Sequence, residues 1–289
     1  MGNHIVCFGE VLIDNLPTGR RIGGAPLNVC YHLNKNGLSA TIVSQVGNDA
    51  LGRELLTGIA SHDMDTTFIP VVTELASSSV EVVIDRDGNV SYEILEPVAW
   101  DALSYDQRAA DLITGAAAFV YGSLVARNRA SRRTLYRYLE KSQWPVFDVN
   151  LRPPFFDREL ILDLIAKCKT LKVNSEELST LAEWLSGNEL PTKDALEYLL
   201  GHFPNVEEIL LTRGSEGAVY KNRTQEISKP AKAVKVKDTV GSGDAFLAGF
   251  LARKIQGADA EEALRYAINL SAYVAGEHGA CPDYPPSQC

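Results

Sequence analysis

The stretch that most limits what this chain can become is Asp238-Thr-Val-Gly-Ser-Gly-Asp-Ala-Phe-Leu-Ala-Gly-Phe250, where a polar, glycine-bearing turn runs into an apolar segment. The segment from Ala245 onward reads as a buried helix, and a helix begins with N–H groups that lack intrahelical partners and carry partial positive charge. Gly241 and Gly243 admit backbone angles closed to other residues, so the amides from Gly241 through Ser242 to Asp244 can converge on one point. Such a place suits a phosphate. Asp244 is out of keeping there, because a carboxylate repels an anionic ligand unless it has a chemical task. Accepting a proton from an attacking hydroxyl is one such task. A plain N-cap at Ser242 or Asp244 is the competing reading, and on this stretch alone the two stand level.

Two familiar phosphate motifs do not apply. The chain contains no Gly-x-x-x-x-Gly-Lys-Ser/Thr, which excludes a P-loop. The Gly241-x-Gly243 pair lacks the third glycine of a dinucleotide fingerprint, since Phe246 stands there, and Gly9-Glu10 after the first strand offers no triplet either. A nucleotide-cofactor oxidoreductase is therefore the weaker expectation.

At 289 residues the chain can bury the core of one large α/β domain. A net charge of -9, with no local Lys/Arg block, argues against a nucleic-acid partner. The cysteines at 7, 30, 168, 281 and 289 show no Cys-x-x-Cys spacing, so neither a disulfide framework nor a zinc site is indicated, and a reducing cytoplasm is the expected setting. No apolar run approaches the ~20 residues of a membrane span.

Along the chain, His4 to Phe8 reads as a buried strand ending at Gly9-Glu10, with Asp14 just beyond it at the end where open α/β sheets bind ligands; Asp14 is a candidate ligand contact, with a solvated loop aspartate as the competing reading. Gly23-Gly24-Ala25-Pro26-Leu27-Asn28 opens a helix that ends near Gly37; Pro26 suits its first turn, and the Asn28 amide suits a sugar hydroxyl, with a solvent-facing asparagine as the competing reading. A strand at Ala40 to Val46 and a helix from Asp49 to Ala60 continue the alternation. Residues 66–97 then hold strand-like runs without a helix, including a hairpin turning at Asp87-Gly88. They are expected to form an inserted small antiparallel sheet which, with the loop segment 11–22, serves as a lid, a homodimer surface or both.

Further strands are expected at Ala118 to Gly122, Val146 to Val149, Thr170 to Val173 and Glu208 to Leu211, with helices over Ala130 to Lys141 and Pro191 to His202. Gly217 to Lys221 and Lys232 to Val236 read as a hairpin. If the strand ending at Val149 continued, Asp148, Asn150 and Arg152 would share one face, with Arg152 a phosphate clamp or a surface ion pair. Asn174 and Glu177 fit a capping box, and also a carboxylate beside a metal-bound phosphate. Leu264, Ala267, Ile268, Ser271, Ala272 and Ala275 mark the buried stripe of a last helix, with Asn269 off it.

Gly23-Gly24-x-x-x-Asn28, Asn174-x-x-Glu177 and Asp238-Thr-Val-Gly-Ser-Gly-Asp244 follow one another as in ribokinase-like (PfkB-type) sugar kinases, which this chain resembles over nearly its whole length. Gly-Gly-Ala-Pro-x-Asn and Phe147-Asp-Val-Asn-Leu-Arg152 look most like the fructokinases of that family. The resemblance implies a three-layer α/β sandwich over residues 1–289 with a mostly parallel central sheet and a β lid, Mg-ATP as donor and a sugar hydroxyl as acceptor. By position, Asp244 would be the base and Gly241, Ser242 and Gly243 the anion hole. Asp14, Gly24 and Asn28 would hold the sugar, Asn174 and Glu177 would organise Mg2+ through water, and Thr212, Gly214 and Asn269 would contact ATP. Asp238 and Thr239 match part of a monovalent-cation (K+) site, whose completing loop lies near Gly276 to Ala280. Arg213 departs from the family pattern, standing where an apolar residue is common.

The resulting expectation is phosphoryl transfer from ATP to a primary hydroxyl of a small neutral sugar, with fructose first and ribose, adenosine or a sugar acid as alternatives. A phosphorylated sugar would need cations of its own, for which Arg20, Arg21 and Arg86 are the candidates. A catalytically silent sugar- or nucleotide-binding regulator is the competing class.

Overall fold

Alternation within the first strand, β1 (His4–Phe8), sets the layers: Ile5 and Cys7 pack into one core, Val6 and Phe8 into another. A strand buried on both faces needs helices on both sides. The computed structural model, which describes residues 3–16, 19–84 and 90–285, supplies them.

In chain order, β2 (Leu12–Leu16), β3 (Gly19–Gly23), α1 (Ala25–Lys35), β4 (Ser39–Val43), β5 (Val46–Gly47) and α2 (Ala50–Ser61) follow β1. Then come β6 (Val71–Val72), β7 (Ser78–Ile84), β8 (Val90–Ile94), α3 (Gln107–Gly115), β9 (Ala118–Gly122), α4 (Arg129–Leu139), β10 (Pro145–Asp148) and α5 (Arg158–Ile165). The last part comprises β11 (Thr170–Asn174), α6 (Ser175–Ser186), α7 (Thr192–His202), β12 (Glu208–Thr212), β13 (Ala218–Asn222), β14 (Glu226–Lys229), α8 (Ser242–Ile255) and α9 (Ala260–Ala275).

The main sheet runs β14-β13-β12-β11-β10-β9-β1-β4, parallel from β12 to β4 and antiparallel at the β13 and β14 edge. Leu33 of α1, Ile59 of α2, Phe246 of α8 and Leu264 of α9 fill one face; Ile113, Leu135, Leu164, Leu181 and Leu196, from α3 to α7, fill the other. This is the expected three-layer α/β sandwich. Among the described residues no helix is long and apolar enough to cross a membrane.

A second sheet, ordered β3-β2-β7-β8, stands apart from the first and joins segments 12–23 and 78–94; it is mixed rather than the expected antiparallel, because β2 and β7 come from separate segments and pair in parallel. Its boundary is narrower than 66–97, because β6 pairs with β5 in a separate two-stranded ribbon. The expected turn at Asp87-Gly88 lies outside the described residues.

Three sequence readings change. The partner of β13 is β14 at 226–229 rather than Lys232 to Val236. Asn222 Oδ1 accepts from the Thr224 and Gln225 amides and so tightens the turn early, and Pro230, which has no N–H, follows the strand. Helices α3 and α5 were not expected; each starts on an aspartate, Asp106 or Asp157, that accepts from a first-turn amide. Finally, β10 stops at Asp148, and Asn150 adopts a left-handed φ of 43°, so Asp148, Asn150 and Arg152 do not share a strand face.

Phe147, fully buried and stacked on Tyr121 at 5.1 Å between centroids, anchors the strand that delivers Asp148. Replacing it with alanine should cost about 3–5 kcal/mol of unfolding free energy. Urea denaturation followed by far-UV circular dichroism checks this, and a loss under about 1 kcal/mol would contradict the packing described.

Candidate active site

The N-cap of α8 is Gly241, held at φ 76°, and no side chain caps the helix. A Cβ at Gly241 would lie 2.5 Å from Ala280 Cβ, so glycine is required both by conformation and by space. Ser242 folds back on the preceding turn, its amide and hydroxyl donating to the Thr239 carbonyl at 3.2 and 2.9 Å. Neither Ser242 nor Asp244 is therefore the cap. Asp244 occupies the first turn and accepts from Asn28 Nδ2 at 2.8 Å.

Acidic groups crowd this helix end. Burial, reinforced by the charge of Asp148, pushes Asp244 up to about 6, against Lys172, Asn28 and Arg152, which favour its charged form. Burial also raises Glu10 to about 7, with Asp244 adding to the shift while backbone amides and Arg152 oppose it. Asp14 rises to about 6, again by burial, with Arg152 opposing and Asp238 adding. Burial works against the charge of Lys172, but Asp148, Glu177 and Asp244 outweigh it and raise its pKa. Its ammonium donates to Asp148 Oδ1 at 2.9 Å, and both side chains are buried.

Asp14 sits on β2, its carboxylate filling the space a Cβ on Gly23 would need. Gly24 caps α1 at φ 117°, and a Cβ there would meet the Glu10 carbonyl at 2.3 Å. Arg152 is exposed, yet near enough to act on Glu10, Asp14 and Asp244. Asn28 faces the aspartate rather than open space. Asn174 and Glu177 form the full capping box, at 2.9 and 2.8 Å, and the second Glu177 oxygen accepts from the Leu151 amide at 3.1 Å. Asp238 accepts from the amides of Val240 at 3.0 Å and Gly279 at 3.1 Å, which sets the register of the last loop.

On the other side of the α8 amino end opens a cleft of about 1030 Å³. Asn174, Thr212, Gly214, Thr239, Ser242 and Gly243 line one part, and Val234, Val236, Phe246, Ile268, Ala272 and Ala275 give another an apolar lining. Asn269 is not in that lining; its helical neighbours Ile268 and Ser271 are. Arg213 lies along the cleft with its guanidinium donating to Ser228 Oγ at 3.0 Å and to the Glu216 carbonyl at 3.3 Å, so it braces the loop.

The model of the pfkB family of carbohydrate kinases matches residues 4–287. The chain belongs to that family. Among pfkB relatives, Fructokinase-1 of Oryza sativa subsp. japonica is 28% identical, with 97% of this chain and 94% of that protein covered. ATP-dependent 6-phosphofructokinase of Thermoanaerobacterium thermosaccharolyticum is 27% identical, covering 97% and 90%. The crystal structure of fructokinase with bound ATP from Xylella fastidiosa superposes with a TM-score of 0.85 at 23% identity, covering 97% of this chain and 94% of that one. As a pfkB kinase, the protein is a phosphotransferase with a sugar acceptor.

Lys172 is the site residue that sequence reading missed. It lines the cleft, and its Nζ lies 3.2 Å from where a Cβ on Gly243 would stand. A lysine inside the otherwise apolar run Leu171-Lys-Val173 was the available signal, because lysine is seldom buried unpaired. A divalent cation fits beside it: Asp148 Oδ2 is buried without a partner, and the carboxylates of Asp148, Glu177 and Asp244 face this ammonium. Among the described residues no group of three or more His, Cys, Asp or Glu is arranged to hold a metal ion by itself. Magnesium commonly binds through one or two carboxylates and substrate phosphates, so none is needed.

The raised carboxyl of Asp244 has a cost for the free protein. Its folded value exceeds the unfolded one, so its stabilising contribution is complete below about pH 3.8 and is lost as pH rises through about 6. Asp244→Asn removes that dependence. The stability of the variant relative to wild type should increase between pH 5 and pH 8, as read from paired urea midpoints without ligands; a constant difference would contradict the assigned shift.

Proposed function

We propose that the protein transfers the γ-phosphoryl group of ATP to a primary hydroxyl of a neutral sugar, most simply fructose, with Asp244 as general base. The observation that carries this reading is the position of Asp244. It stands in the first turn of an uncapped helix whose Ser242 and Gly243 line the cleft with Asn174, Thr212 and Gly214, and it accepts from Asn28 of α1.

Asp244 takes the proton of the attacking hydroxyl while the oxygen bonds to the γ-phosphorus and the bond to ADP breaks. The amides of Gly241, Gly243 and Asp244 and the Lys172 ammonium stabilise charge on the transferring group, the kind of term that usually contributes most to such catalysis; the Ser242 amide, expected to share this role, is instead engaged by the Thr239 carbonyl. Asn174 and Glu177, together with the unpartnered Asp148 oxygen, would hold magnesium, which when bound neutralises phosphate charge. Asp238 and Thr239 remain the candidates for a potassium ion; the Vibrio cholerae fructokinase structure with fructose, ADP and potassium ion bound, TM-score 0.81 at 21% identity, supports that reading. The apolar lining of Val234, Ile268 and Ala272 supports an adenine ring in the cleft. The small sheet then acts as a lid over the sugar, excluding water.

A sugar phosphate as acceptor is the second reading, favoured by the 6-phosphofructokinase relative. The charges here oppose it. In this reading Glu10, Asp14 and Asp244 lie on the acceptor side, Arg20 is engaged by Glu54 at 3.0 Å, and Arg21, opposite Asp14 across β2 and β3, is exposed. Arg86 lies outside the described residues. Measuring kcat/KM for fructose, ribose, adenosine and fructose 6-phosphate decides between them; fructose 6-phosphate ranking first would overturn the neutral acceptor. Sugar binding without ADP release would instead indicate a regulator.

For the base, Asp244→Asn should lower kcat about 10²–10⁴-fold in a folded protein. Wild-type kcat/KM should fall as pH drops through about 6, since the charged carboxylate is the active form. Near-native turnover by the variant would remove Asp244 from the role.

A further inference from the structure

A strap at the end of the described chain, Gly279 to Tyr284, lies against both α1 and the start of α8. From α1, His32 contacts the Ala280 carbonyl through Nε2 at 2.9 Å and the Tyr284 hydroxyl through Nδ1 at 2.8 Å. Burial lowers His32 to about 4, which keeps the ring neutral. A neutral ring facing a carbonyl through Nε2 must donate there, so Nδ1 accepts from the Tyr284 hydroxyl. Tyr31 donates to the Pro282 carbonyl at 2.8 Å, and Lys35 pairs with Asp283. These contacts fix the backbone on both sides of Cys281.

On the side facing the site, the strap makes three contacts. The Gly279 amide reaches Asp238, Ala280 packs on Gly241, and Cys281 Sγ lies 3.4 Å from Asn28 Oδ1. The last contact completes a chain, because Asn28 Nδ2 is 2.8 Å from Asp244 Oδ2. Its polarity follows from donor chemistry. A carboxylate can only accept, so the Asn28 NH2 faces Asp244 and the Asn28 oxygen faces the sulfur, which must donate. Burial, with the nearby charge of Asp244, pushes the Cys281 thiol well above its ordinary range, so it keeps its proton.

We infer that Cys281 is a positioning residue for the proposed base: its thiol fixes the Asn28 amide, which in turn holds one oxygen of Asp244 and leaves the other for the sugar hydroxyl. This rests on Asp244 being the base. Without the thiol the amide can rotate and its bond to Asp244 weakens. That bond favours the charged carboxylate, so weakening it moves Asp244 toward the protonated form. Asp148, Lys172, Arg152 and Glu10 also face this carboxylate and are unchanged by a substitution at 281.

The test compares Cys281→Ala, Cys281→Val and Cys281→Ser with wild type in kcat/KM for the best sugar across pH 5 to 9, alongside thermal melting. Alanine and valine should lower kcat/KM near pH 7 by about two- to tenfold, the range of one hydrogen bond, and shift the acid limb to higher pH. Serine, which keeps a donor, should restore both. The inference is overturned if all four profiles coincide, or if serine is as impaired as alanine and valine, which would indicate packing of the sulfur alone. Asp244→Asn measured in parallel separates the two claims: an active Asp244→Asn removes the base itself, whereas an inactive one with unchanged Cys281 variants removes only the positioning role.

Discussion

The ion pair between Lys172 and Asp148 is the constraint on which the site depends. At 2.9 Å, with both side chains buried, it places one ammonium among the carboxylates of Asp148, Glu177 and Asp244. A buried ion pair of this kind is weak evidence for stability, since desolvation offsets much of its Coulomb energy. Its value here is positional. Lys172 comes from β11 and Asp148 from β10, adjacent parallel strands whose carboxyl ends point at the α8 amino end. The orphaned Asp148 oxygen, and the burial that raises Glu177 and Asp244, leave these acidic groups poorly solvated in the free protein. Natural proteins tolerate such frustration where activity requires it.

The sequence makes the ends of α1 and α8 legible for physical reasons. Gly24 and Gly241 both take positive φ, and each abuts another segment so closely that a Cβ would collide. Glycine followed by an apolar helix is a local signature of that arrangement. The Asn174 and Glu177 box is equally local, three residues apart. Its two readings are compatible, because each Glu177 oxygen accepts one backbone amide and a carboxylate oxygen has further acceptor capacity.

What the sequence hides is long-range. Lys172 reads as an ordinary strand residue until the parallel register sets it against Asp148. Asn28 reads as a sugar contact, but its partner Asp244 is distant in sequence and reached only because α1 packs on α8 through the core. Short helices such as α5 escape notice because eight residues carry too few turns for a periodic signal. The β14 error has a similar origin: Lys232 to Val236 alternates like a strand, whereas Pro230 and the turn at Asn222 end the hairpin sooner.

The second sheet and the charge pattern bear on one another. Asp14 belongs to β2, the strand that ties the small sheet together, while Asp244 and Glu10 belong to the body. Closing the lid under the proposed mechanism therefore draws like charges toward each other, with the exposed Arg152 as the nearby cation acting on all three. A neutral polyol removes that conflict, because its hydroxyls donate to carboxylates on both sides at once. An acceptor carrying its own phosphate would add to it, at a place where the described cations are already engaged or exposed to solvent. In the proposed mechanism, selection of an uncharged acceptor and closure of the lid would be the same electrostatic requirement, with the sugar as the bridge that lets Asp14 and Asp244 share one site.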